Sequence, residues 1–120
     1  MALPMARLPR LVLPGLPHHV ILRAHAGQPV FGDDADHRAY LEALREAAHT
    51  HRVAVHAYVQ VPREVQLLVV PEQAEGLGRM MQSIGRRHGA WFNRRHQRSG
   101  SLWEGRYRAA VVEPGSCFVD

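Results

Sequence analysis

From the order of its elements this 120-residue chain is expected to fold as an α+β sandwich, an antiparallel sheet with both helices on one face. Four short β-rich runs, two amphipathic stretches between them and a tight Pro62-Arg63 connection carry that expectation. Residues 1–17 are broken by Pro4, Pro9, Pro14 and Pro17, which neither donate to a ladder nor sit inside a helix, and read as an irregular arm. The run "HHVILRAH" (18–25) reads as a first strand. Asp33 or Asp34 then serves as an N-cap, and Tyr40, Leu41, Leu44, Ala47 and Ala48 give the three-and-four spacing of a helix over 34–50. "RVAVHAYVQV" (52–61) alternates as a second strand and 65–70 forms a third, bounded by Pro62 and Pro71 and close enough to the second for an antiparallel hairpin. A second helix over 74–93 follows from the stripe Leu77, Met80, Met81, Ile84, His88, Trp91 and Phe92. After a basic loop at 94–105, "RYRAAVVE" (106–113) is a fourth strand, and Ser116 is placed to cap a third helix. The order β-α-β-β-α-β is the ferredoxin-like arrangement over one domain, 18–120, with the second sheet face left open or covered by whatever follows.

All fifteen basic residues are arginine, and the formal net charge is +4. A GC-rich coding sequence accounts for missing lysine, but not for where the arginines sit. Eight of them (79, 86, 87, 94, 95, 98, 106 and 108) fall between residues 75 and 112, against Glu75 and Glu104 alone. Arginine pairs with phosphate through a planar fork and stacks on flat rings, so this stretch points to nucleic acid. Its interleaving with Trp91, Phe92 and Trp103 fits a surface that meets phosphates and unstacked bases. The residues expected to contact DNA are Arg86, Arg87, Asn93, Arg94, Arg95, Arg98, Trp103, Arg106 and Arg108. Cys117 is the single cysteine, which excludes an internal disulfide framework and suits a cytoplasmic location. The proline-broken N-terminal segment lacks the continuous apolar run of a signal peptide or membrane span.

The stretch "VQVPREVQLLVV" (59–70) holds the other candidate site. Glu64 and Gln66 lie two residues apart on an otherwise apolar strand, so they share one sheet face. His56, on the strand next to theirs, is the histidine with most reason to join them. His18 and His19 are adjacent, so they face opposite ways and cannot hold one metal between them. No paired histidine motif and no glycine-rich phosphate loop is present.

With these elements in place, "PGLPHHVILR", "QPVFGDDADHRAYLEAL", "VAVHAYVQVP" and above all "WFNRRHQRSGSLWEGRYR" resemble the REP-associated tyrosine transposases, relatives of the single-tyrosine transposases of the HUH endonuclease superfamily. The resemblance implies DNA nicking and joining on single-stranded, hairpin-forming repeats. In that scheme two histidines flanking a hydrophobic residue hold a divalent metal, and a tyrosine on the following helix attacks the phosphate. This chain departs from the pattern twice. Where the family reads Met-Pro-Asn-His-hydrophobic-His, it has Val61, Pro62, Arg63, Glu64, Val65 and Gln66. The family's tyrosine segment, resembling "RYIELNPVR", would follow the last strand, and the chain ends at Asp120 as that helix begins. Tyr40, Tyr58 and Tyr107 do not match the nucleophile's position.

The resulting expectation is a DNA-binding member without cleavage activity and without a required cofactor, acting on single-stranded or hairpin DNA. Glu64 and Gln66 are the residual metal positions, suited to Mg²⁺ or Mn²⁺ if activity survives. An active metal-dependent nickase and a decayed product without selected function are the alternatives. Homodimerisation is a further expectation, covering apolar sheet surface left exposed.

Overall fold

The computed structural model describes residues 12–112. In chain order the elements are β1 (His18–Arg23), α1 (Asp34–Thr50), β2 (Val53–Val61), β3 (Glu64–Pro71), α2 (Gly76–Arg95) and β4 (Arg108–Val111), with a single 3₁₀ turn at His25–Gly27. The strands form one antiparallel sheet in the order β2-β3-β1-β4. Each helix therefore links two strands that flank a third, which places both helices on the same side. The expected ferredoxin-like α+β sandwich is the observed one. Ser116 and its expected third helix lie outside the described residues, as do residues 1–11 of the expected arm.

Alternation along the strands decides which face is sealed. Val20 and Leu22 of β1 and Val65, Leu67 and Val69 of β3 are buried under the helices. They meet Tyr40, Ala43, Leu44 and Ala47 of α1 and Leu77, Met80, Met81, Ile84 and Phe92 of α2. Each large aliphatic side chain so buried contributes about 1.5–3 kcal/mol relative to exposure. The opposite face carries His19, Ile21 and Arg23 of β1, Glu64, Gln66, Leu68 and Val70 of β3, and Val59 and Val61 of β2. No helix covers it among the described residues, and Val59 and Val61 stay 52% and 42% exposed.

Several boundaries differ from the sequence expectation. α1 begins where expected because Asp33 caps it, its side chain accepting from the N–H groups of Ala35 and Asp36 at 3.1 and 3.3 Å. α2 starts later and runs on to Arg95, since its last turn is tied down by side-chain contacts far away in sequence. β4 is shorter than 106–113: it pairs only with His18–Ile21, because further along β1 the partner is the preceding loop, through the Ala24–Trp103 bridge and the Glu104 N–H to Arg23 carbonyl bond. β2 carries a bulge at His56, between Val55 and Ala57.

The entry to α2 is where backbone packing demands glycine. A Cβ on Gly76 would stand 2.6 Å from the His51 carbonyl oxygen at the end of α1, whereas one on Gly89 would meet nothing within 4 Å. Two substitutions of the same chemistry are thus expected to act with opposite sign. Gly76→Ala should destabilise by about 1–3 kcal/mol through overpacking, and Gly89→Ala should stabilise by about 0.5–1 kcal/mol through helix propensity. Urea unfolding followed by circular dichroism reads both.

Candidate nucleic-acid interface

Glu64 and Gln66 do share a face, the open one, and the structure gives them companions. His19 Nε2 lies 2.9 Å from Gln66 Oε1, Gln66 Nε2 donates to Glu64 Oε2 at 2.6 Å, and Arg23 Nε donates to Glu64 Oε1 at 3.0 Å. A polar strip His19–Gln66–Glu64–Arg23 thus joins β1 to β3. The hydrogen bond from Gln66, and then that from Arg23, holds the Glu64 carboxyl below its ordinary pKa. The imidazole beside these residues is His19 and not His56. β3 lies between β2 and β1, and His56 sits in the bulge while His19 projects beside Gln66. A shallow hollow of roughly 250 Å³ adjoins the strip, lined by His19, Ala57, Tyr58, Val59, Gln66, Leu67 and Leu68.

This donor set does not fit a divalent metal. Both Glu64 oxygens already accept hydrogen bonds, the Gln66 oxygen faces the His19 ring nitrogen, and a guanidinium stands against the carboxylate. Among the described residues no three His, Cys, Asp or Glu side chains converge as a metal site. An octahedral oxygen-seeking ion would have to displace the arginine to gain one carboxylate.

The basic stretch divides into arginines that build the fold and arginines that face water. Asp36 is fully buried and accepts four hydrogen bonds: Trp91 Nε1 (3.2 Å) and Arg95 Nη1 (2.9 Å) on Oδ1, the Gly32 N–H (2.8 Å) and His96 Nε2 (2.8 Å) on Oδ2. Since a carboxylate only accepts, His96 Nε2 carries the proton. Burial by itself would raise the Asp36 pKa, but the bonds from Gly32, His96, Arg95 and Trp91 together outweigh it and hold the carboxyl below its ordinary value. Arg95 also forks onto Asp33 at 2.6 and 2.8 Å. Arg87 pairs with Glu46 of α1 at 2.7 Å. Arg98 binds Asn93 Oδ1, and Gln28 Oε1 at 2.9 Å, while Asn93 Nδ2 donates to the Gly100 carbonyl at 3.0 Å.

Trp103 is 8% exposed and packs in the core, so it offers no open ring face; its indole N–H is buried without a partner among the described residues. It helps line a groove of roughly 470 Å³ with Gly78, Gln82, Gly85, Arg106 and Tyr107. Arg86, Arg94, Arg106 and Arg108 are exposed and make no ion pair among the described residues. They lie on α2, on the loop after it and on β4.

Residues 13–117 match the family model described as Transposase IS200 like. The chain belongs to the IS200-like transposase family. Among solved structures it resembles a REP-associated tyrosine transposase bound to a REP hairpin, with a TM-score of 0.70 at 12% identity, covering 91% of this chain and 63% of that one. The IS200-like chain therefore spans less than two thirds of that transposase's length. A candidate transposase from Deinococcus radiodurans superposes with a TM-score of 0.67 at 20% identity, covering 90% and 87% of the two chains. A designed ferredoxin-fold protein gives 0.51 at 15% identity, over 87% of this chain and 92% of the design. No curated protein sequence matches. At these identities the structural likenesses establish the fold, and the family model establishes the membership. No helix among the described residues is long and apolar enough to cross a membrane.

The division between structural and exposed arginines can be measured. Arg95→Ala removes the guanidinium from buried Asp36 and should clearly lower stability, by less than breaking a fully buried pair because Arg95 is 34% exposed. Arg94→Ala should stay within about 0.5 kcal/mol of wild type. Because the folded-state pKa of Asp36 is lowered, its contribution is present above the unfolded carboxyl's pKa and is lost as pH falls through the lowered value. Asp36→Asn should therefore flatten the acid limb of a stability-against-pH curve, measured by denaturant unfolding.

Proposed function

We propose that this chain is a DNA-binding member of its family that holds single-stranded or hairpin DNA in the cytoplasm and does not cleave it. The observation that carries this reading is the polar strip: at the two positions where the family resemblance expects metal ligands, Glu64 and Gln66 are tied to Arg23 and His19 by hydrogen bonds. Without a metal at these positions the scissile phosphate lacks the Lewis-acid activation that the nicking step would draw on. DNA binding is supported by the likeness to a transposase solved on a REP hairpin and by the exposed arginines 86, 94, 106 and 108. In this reading those four meet phosphates directly. Arg87, Arg95, Arg98 and Asn93 shape the surface that carries them, and Trp103 supports it from beneath. Self-association, where it occurs, is assigned to the free edge of β2, whose Tyr58, Val59 and Val61 are exposed.

Fluorescence anisotropy with an imperfect DNA hairpin and a scrambled single strand, each at two salt concentrations, tests the binding. The hairpin should be preferred, and Arg94→Ala should weaken both complexes and lower the salt slope by about one. Incubation of the hairpin with Mg²⁺ or Mn²⁺ followed by denaturing electrophoresis should show no covalent protein–DNA adduct. A metal-dependent adduct would overturn the non-cleaving assignment. Weak and equal binding to both DNAs would favour the decayed product instead.

A further inference from the structure

The strip on the open sheet face has a second property, which rests on the DNA-binding reading above and specifies how one phosphate is held. Along β1 the residues His19, Ile21 and Arg23 alternate onto that face. Ile21 stands opposite Gln66 of β3 on one side and Arg108 of β4 on the other. Ile21 is therefore ringed by His19 and Arg23 along its own strand and by Arg108 across the sheet, all within about 5–7 Å between backbones.

Arg23 spends only its Nε on Glu64; its side chain is 48% exposed, and its two Nη groups make no hydrogen bond among the described residues. Arg108 is exposed and makes no ion pair or side-chain hydrogen bond among the described residues, and Arg63, in the turn beside Arg23, is exposed with its Nε donating to the Gly27 carbonyl. Among the described residues the carboxylates at this end are Glu64 and Glu104, whose backbone N–H binds the Arg23 carbonyl, against the three guanidinium groups of Arg23, Arg63 and Arg108. The balance favours an anion. The Nε bond to Glu64 restrains the Arg23 guanidinium and leaves both Nη groups for a bidentate phosphate contact, which lowers the entropy lost on binding.

We propose that Arg23 stands in for the divalent cation, and that Arg23, Arg108 and His19 form a metal-independent subsite for a phosphodiester of single-stranded DNA. The adjoining hollow, with Ala57, Val59 and Leu68 in its walls, receives the neighbouring sugar or base. An arginine clamp holds a phosphate by charge and hydrogen bonds without a metal's Lewis acidity, and none of Tyr40, Tyr58 and Tyr107 matches the position of the nucleophile in the family resemblance, so the subsite binds without cleaving.

Two measurements on the full chain test this. Anisotropy with a hairpin bearing a single-stranded flank should give the same affinity within about twofold in EDTA and in Mn²⁺. Arg23→Gln, checked for folding by circular dichroism, should weaken binding about tenfold, the size of one charge-assisted hydrogen bond. Arg23→Lys, which keeps the charge and loses the fork, should recover part of that loss. Unchanged binding by both Arg23 variants beside a binding wild type would overturn the subsite and leave the functional reading standing. Stoichiometric Mn²⁺ binding seen by electron paramagnetic resonance, and lost in Glu64→Ala, would overturn the replacement of the metal. A wild type that binds no DNA would overturn the functional reading and the subsite with it.

Discussion

The buried carboxylate of Asp36 is the constraint on which the helical layer depends. Its four acceptor sites are filled from the loop before α1, from two turns of α2 and from the residue after it. A charge taken out of water costs several kcal/mol unless it is paired and hydrogen-bonded, so each of these donors is needed to offset the burial of the group. The result ties the start of α1 to the end of α2, two helices that also meet through the Arg87–Glu46 ion pair, the Tyr40–His88 ring contact and aliphatic side chains. The two most distinctive stretches of the sequence, "QPVFGDDAD" and "WFNRRHQR", are the two halves of this one contact.

That contact changes what a run of arginines means. Charge counted along 75–112 reads as one continuous basic surface, yet Arg87, Arg95 and Arg98 are bound by side chains of the protein itself. The field presented to a polyanion comes from the remainder, carried on α2, β4 and the loop between them, and from Arg23 and Arg63 around the open sheet face. Nucleic-acid binding by such a surface would depend on position more than on total charge.

Local patterns were legible in the sequence, and long-range partners were not. The helix over 34–50 and the hairpin between β2 and β3 follow from spacing, capping and turn chemistry within a few residues, and both appear as expected. That Glu64 and Gln66 share a face needs only strand alternation. Which histidine joins them needs the strand order: the hairpin neighbour suggested His56, while the crossover brings in His19, 47 residues from Gln66. The roles of Arg95 and Trp103 were hidden for the same reason. Asp36 lies 59 residues before Arg95, and a tryptophan in a basic loop looks the same in sequence whether it stacks on a base or fills the core.

The sheet keeps its two faces separate in consequence as well as in space. The helices bury one face, where the core residues lie, while Glu64, Gln66, His19 and Arg23 stand on the other, where substitution disturbs little packing. A domain built this way can exchange the chemistry on its open side at small thermodynamic cost, because no core contact depends on it. Within such a lineage, members can carry different side chains on that one surface while remaining equally well folded.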